Sequence, residues 1–149
     1  MSDLLYLDDL VVGQRFASPS HQLDEAQIKA FAGQFDPQPF HLDDEAAKGT
    51  LFGGLAASGW HTAAVTMKLL VAGGAPIAGG IIGAGGEIKW PAPTRPGDIL
   101  HVESEVIEIV PSKSRPDRGM VTLRSRTMNQ DGQVVQEFTA KLVVPRRAS

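Results

Sequence analysis

Ser58-Gly59-Trp60-His61-Thr62-Ala63-Ala64-Val65-Thr66-Met67-Lys68-Leu69-Leu70-Val71 carries one formally charged residue, Lys68. Its residue types favour helix, and a helix that is apolar nearly all round is expected to be covered on most sides. Gly73-Gly74 and Pro76 end it, because glycine loosens the backbone and proline removes a donor. Such a helix needs a surface to lie against, and the residues after Gly79 supply one. Ile82, Ala84, Gly86, Ile88 and Trp90 alternate with other residues, and Asp98 to Val110 is rich in Val and Ile. Val121, Leu123 and Ser125 oppose Thr122, Arg124 and Arg126, while Phe138, Ala140, Leu142 and Val144 fall on one face. A period of two marks strands. Asn129-Gln130-Asp131-Gly132 reads as a hairpin, since Asp-Gly supplies positive φ, and the polar Pro111–Gly119 stretch reads as a longer hairpin loop.

Upstream, Asp24 precedes Ile28, Phe31, Ala32 and Phe35 at helical spacing, with Gln27 at the capping-box position. This predicts a helix from about 24 to 34. In Phe35-Asp36-Pro37-Gln38-Pro39-Phe40-His41-Leu42, two prolines in three residues exclude regular helix and push Asp36 and Gln38 toward extended geometry. Asp43 is placed to cap a short helix through Lys48, with Gly49 at its end. Helices first and strands after give an α+β chain: one buried helix on a curled antiparallel sheet of about five strands. No repeat or linker interrupts it, so residues 1–149 are read as one domain.

Composition narrows the function. Net charge is −3 and no Lys/Arg block exceeds two residues, a poor footprint for nucleic acid or an anionic membrane. The absence of cysteine excludes disulfides, thiolate catalysis and Cys-type zinc sites. Met1 to Asp9 carries acids where a signal peptide carries positive charge. No apolar run reaches the roughly 18 residues that span a bilayer. A cytoplasmic protein is expected.

Of four histidines, His101 is read as a strand-face residue, His21 as solvated before a helix cap, and His61 as packed in the first turn of the central helix. His41 sits five residues after Asp36, on a loop between two helices that can hold it rigidly. An imidazole and a carboxylate within reach of one water form an acid–base pair; ordinary loop hydrogen bonding is the alternative. Ser58-Gly59 opens the helix, where free N–H groups and the macrodipole meet and glycine admits a ligand oxygen. It reads as a simple cap, as a site for charge developing on a ligand oxygen, or as both together. Gly79 to Gly86 lacks the βαβ context and the Gly-Lys-Ser/Thr of a nucleotide loop, and Asp43-Asp44-Glu45 reads as a helix N-terminus rather than a metal site.

Phe31-Ala32 with Phe35 to Asp43, then Phe52-Gly53-Gly54-Leu55-Ala56-Ala57-Ser58-Gly59, resembles the hydratase segment of the MaoC-like family, which includes (R)-specific enoyl-CoA hydratases. Trp90-Pro91-Ala92-Pro93-Thr94-Arg95-Pro96-Gly97-Asp98 resembles a turn between two hot-dog strands of that family, and the likeness runs from Asp9 to the last strand. The resemblance implies a hot-dog fold, a homodimer or higher homo-oligomer with the pocket near the subunit interface, and an acyl-CoA substrate without a resident cofactor or metal. It places the catalytic aspartate on Asp36, the histidine on His41 and the oxyanion-binding amide on Gly59. Gln38, Ser58 and Trp60 are expected to meet substrate; the family commonly has Asn at the first of these positions and His at the second. The implied reaction is hydration of a 2-enoyl-CoA, (R)-specific. A hot-dog thioesterase and a non-catalytic acyl-CoA-binding subunit are the alternatives. Lys113, Arg115, Arg118 and Arg95 are candidate partners for the phosphates of coenzyme A.

Overall fold

In the computed structural model, which describes residues 4–148, a 3-10 turn (Leu7–Asp9) and two short strands, β1 (Arg15–Ala17) and β2 (His21–Gln22), precede the first α-helix. This corrects the expectation that helices come first. Runs of three and two residues are too short to display alternation, and they become strands only by bonding to a partner far along the chain. Helix α1 (Glu25–Phe35) follows, with Asp24 Oδ1 accepting from the Gln27 N–H at 2.8 Å. Only that half of the capping box forms. The Gln27 side chain turns instead to the His21 ring and the Gln22 carbonyl.

The proline-rich stretch also departs from expectation. Gln38 is extended (ψ 145°), but Pro39 opens a one-turn helix, α2 (Pro39–Leu42). Proline at the first helical position loses nothing, because its missing N–H would have no intrahelical acceptor and its φ is preset. Helix α3 (Asp44–Lys48) is capped by Asp43 and ends at Gly49 as expected. Helix α4 (Gly59–Leu69) runs on into a π turn over Leu70–Gly74, released at Gly73 with φ 145°.

Four long strands complete the chain: β3 (Ile82–Lys89), β4 (Ile99–Pro111), β5 (Arg118–Met128) and β6 (Val134–Pro145). The antiparallel sheet has the order β1-β4-β5-β6-β3, with β2 also on β4. Register breaks at Gly83/Gly85 and Val106/Glu108 curl it. Leu100, Val102 and Val106 of β4, Val121 and Leu123 of β5, and Leu142 and Val144 of β6 form the inner face, packed with Val65, Leu69 and Leu70. The outer face carries charge pairs in register, Arg124 with Glu105 and Arg126 with Glu137. At Gly86 a Cβ would collide with the Thr139 carbonyl, so glycine there serves close strand packing. Gly132 takes φ 75° in the last hairpin, whose Asn129 carboxamide accepts from the Asp131 and Gln133 N–H groups.

Helix α4 is buried along one face only. Thr62, Val65, Thr66 and Leu69 are buried and His61 stacks on Phe31 of α1, but Trp60 is 58% exposed, and Val71 in the turn that follows 70%. Expected cover on most sides is thus not supplied by this chain alone. The bare flank adjoins β3, whose outer edge is unpaired among the described residues.

Candidate active site

Asp36 is the C-cap of α1, held by its N–H to the Ala32 carbonyl at 2.9 Å. The chain then reverses and α2 returns His41 beside it. The His41 Nδ1 lies 2.6 Å from the Ala56 carbonyl oxygen. A carbonyl only accepts, so Nδ1 donates to it, and Nε2 faces the aspartate. Nε2 is 3.4 Å from Asp36 Oδ2, with the imidazole side chain 5% exposed and the carboxylate 16%. Phe40 meets the imidazole edge-on with centroids 4.6 Å apart, which fixes the ring plane.

Two further donors hold the carboxylate. Ser58 Oγ donates to Oδ2 at 2.7 Å and Gln38 Nε2 donates to Oδ1 at 2.5 Å. Burial pushes the Asp36 carboxyl upward, but the hydrogen bonds from Ser58 and Gln38 and the nearby His41 outweigh it and leave it below the ordinary aspartate value. Asp36 is therefore a carboxylate at neutral pH. Its shift stabilises the fold above the ordinary aspartate range, and that contribution is lost as pH falls through the lowered value.

Ser58 also caps α4, accepting from the Trp60 N–H at 3.2 Å. Among the described residues the Gly59 N–H has no acceptor, and it lies at the positive end of the helix. A cleft of about 460 Å³ brings Asp36, His41, Gly59, Trp60, Thr62 and Trp90 onto one wall system. The two indoles meet edge-to-face with centroids 5.2 Å apart. A Cβ on Gly59 would lie 2.6 Å from Trp90 Cε2, so glycine at this position makes room for the indole.

The other expected residues fall as follows. Trp60 lines the cleft. Gln38 is exposed and touches the carboxylate from outside rather than lining the cleft. Ser58, also expected to meet substrate, is fully buried and its hydroxyl donates to Asp36. Arg95 is committed too: its guanidinium donates to the carbonyls of Phe52, Gly54 and Leu55 and fixes the loop that carries Ala56 to the histidine. Lys113, Arg115 and Arg118 sit in or beside the β4–β5 hairpin. Arg118 pairs with Pro145 at one end of β5, whereas Met128 pairs with Val134, next to the cleft-lining Val135, at the other. Within one chain they are remote from the cleft. His21 is not free in solvent but bonds Gln27 and Lys68; His61 stacks on Phe31 at 4.5 Å; His101 lies on the outer face near Glu103. Sequence reasoning missed Trp90, Thr62 and Val135 as cleft residues. The Trp90-Pro91 step is the one local signal, since a strand that ends on an indole before a proline leaves that ring at a rim.

Ser58→Ala provides a direct test of the carboxylate's support. Removing one of its donors raises the Asp36 pKa, so any activity that needs the carboxylate loses its acid limb at higher pH than in the wild type. The lost cap lowers stability by about 1 kcal/mol. Both are read from a pH–rate profile beside a thermal melt.

The chain matches the family described as MaoC like domain over residues 10–128. The chain belongs to the MaoC-like family. It is 67% identical to a MaoC-like dehydratase from Rhodospirillum rubrum of known crystal structure, with a TM-score of 0.96, over 97% of this chain and 99% of that one. It is 33% identical over 146 residues to an (R)-specific enoyl-CoA hydratase from the same species, covering 97% of this chain and 94% of the relative. A 3-hydroxybutyryl-CoA dehydratase of Methylorubrum extorquens is 32% identical over 118 residues, 75% of this chain and 70% of that protein. The sheet curled on one helix is accordingly a hot-dog fold, of α+β class. The MaoC-like family supports hydratase or dehydratase (lyase) chemistry in general. No helix among the described residues is long and apolar enough to cross a membrane.

Proposed function

We propose that this MaoC-like chain adds water reversibly to a 2-enoyl thioester of coenzyme A, giving the (R)-3-hydroxyacyl thioester. The observation that carries the reading is the 3.4 Å approach of Asp36 Oδ2 and His41 Nε2 in the cleft that is also lined by Gly59, whose N–H has no acceptor among the described residues. A water held between them loses one proton to the Asp36 carboxylate as its oxygen bonds to Cβ. For the reaction His41 carries a proton on Nε2 as well as the one Nδ1 donates to the Ala56 carbonyl, so the reacting pair is an imidazolium and a carboxylate. The Nε2 proton passes to Cα as the carbon–carbon double bond becomes single, and the proton on Asp36 then returns to Nε2. One water is consumed and the pair is restored. While Cα is unprotonated, the thioester oxygen carries negative charge, and the Gly59 N–H at the helix terminus opposes it. The lowered pKa of Asp36 supports this division of roles, since the resting carboxylate has no proton to give. No resident cofactor or metal enters the scheme.

We further propose a cytoplasmic homodimer. The exposed Trp60 and Met67 of α4, Val71 of the π turn that follows it and Ile82 of the β3 edge form an apolar margin, which a second copy would cover.

Hydration of crotonyl-CoA is expected as a loss of enone absorbance with no release of free thiol, and chiral separation of the product gives the (R) acid. Thiol release at constant enone absorbance would make the protein a thioesterase. Tight binding without either signal would make it an acyl-CoA-binding subunit.

A further inference from the structure

Two cavities follow one another along the groove between α4 and β6. The first is the catalytic cleft, to which α4 gives Gly59, Trp60 and Thr62 and β6 gives Val135. The second, about 80 Å³, is walled farther along by Met67 of α4, by Leu70 at the start of the π turn and by Phe138, Ala140 and Leu142 of β6. In sequence the step from one to the other passes Thr66 on the helix and Gln136 on the strand. Both are almost wholly buried, at 1% exposure.

These two residues are bonded to each other across the groove. Trp90 Nε1 donates to Gln136 Oε1 at 2.9 Å, and Gln136 Nε2 donates to Thr66 Oγ1 at 3.0 Å. Indole nitrogen only donates, so the carboxamide orientation is fixed. The Thr66 hydroxyl in turn donates to the Thr62 carbonyl at 2.8 Å and takes a hydrogen bond from Thr127 Oγ1 at 2.5 Å. Each polar atom named thus has a partner, in a groove whose farther cavity is lined mainly by hydrocarbon. An alkyl chain pushed past the first cavity would have to part this network and leave buried donors and acceptors bare, a penalty that hydrophobic cover does not repay until the second cavity is reached.

We infer that the Trp90–Gln136–Thr66–Thr127 network is the end wall of the acyl site, that it confines the substrate to short-chain thioesters, and that Gln136 sets the limit. The inference rests on the acyl-thioester reading above. Gln136 is the informative residue because its loss leaves Thr66 its bonds to Thr127 and Thr62, and leaves Trp90, 40% exposed, able to meet water.

The test is binding of the saturated thioesters butyryl-CoA and octanoyl-CoA by calorimetry, alongside crotonyl-CoA hydration, for the wild type, Gln136→Ala and Gln136→Met. A methylene that finds apolar cover adds roughly fourfold in affinity. The wild type is expected to bind octanoyl-CoA no more tightly than butyryl-CoA. Gln136→Ala joins the cavities and raises the octanoyl-to-butyryl affinity ratio by at least about tenfold, a fraction of what four covered methylenes allow. Gln136→Met fills the same space with a flexible apolar chain and keeps the ratio within about threefold of the wild type. A residue that merely supports the fold would weaken both ligands alike. The inference is overturned if the wild type already gains the full increment per methylene, if Gln136→Ala leaves the ratio unchanged, or if Gln136→Met shifts it as far as alanine does. Should the ratios behave as expected while no crotonyl-CoA is hydrated, the wall stands and the hydratase reading falls.

Discussion

Asp36→Asn and His41→Ala each lower crotonyl-CoA hydration by about three orders of magnitude, within the range for loss of a positioned acid or base. The two residues act on one water, so the double variant falls little further than either single one. The variants differ in what they do to the fold. Asparagine keeps an oxygen for the Ser58 hydroxyl, and its melting temperature stays near that of the wild type. Alanine at position 41 leaves the Ala56 carbonyl without its buried donor and opens a cavity beside Phe40 and Phe52, costing about 1–3 kcal/mol from the bare acceptor alone. Binding of butyryl-CoA, measured in the same samples, is expected to survive in Asp36→Asn. Near-normal turnover in both variants would remove these residues from the chemistry.

Gly59→Ala is expected to reduce kcat by about 10²–10³, the usual loss when an oxyanion donor no longer meets its acceptor. The N–H itself remains. The damage comes from the added methyl, which meets the Trp90 ring at 2.6–2.9 Å. The indole cannot simply swing away, because Nε1 is tied to Gln136 and the ring meets Trp60 edge-to-face. Either the helix entrance or the indole shifts, and the thioester oxygen loses its place. Combining Gly59→Ala with Trp90→Ala relieves the collision and recovers part of kcat, whereas a role for Gly59 in backbone flexibility alone predicts no recovery.

What the sequence revealed was local. Asp24 and Asp43 announced their helices because a cap acts within three residues, and Asp131-Gly132 announced its hairpin because the turn's φ requirement is met by the residue itself. Alternation placed β4 closely and the middles of β5 and β6, but both of the latter begin earlier, at Arg118 and Val134, than the stretches that alternate from Val121 and Phe138. The strands β1 and β2 were invisible, since nothing but their hydrogen bonds to β4 defines them. Pro37 and Pro39 were read as breakers, and Pro39 proved to be a helix starter, a difference decided by which N–H the helix can spare. At the site, Asp36, His41 and Gly59 were nameable in advance, partly through resemblance. The direction of the Ser58 hydroxyl, toward a carboxylate 22 positions away, was not, nor was the Trp90–Gln136 bond across 46 positions. Such contacts follow from how the elements pack, and a short polar side chain reads the same on paper whether it faces ligand, backbone or another side chain.

The most direct measurement is a crystal structure of Asp36→Asn, slowed enough to hold crotonyl-CoA intact. The thioester oxygen is expected about 2.7–3.1 Å from the Gly59 nitrogen, with Cβ turned toward the side chain at position 36 and His41 Nε2 near Cα. A thioester bound with its carbonyl turned away from the helix entrance, or with its double bond out of reach of position 36 and His41, would contradict the account.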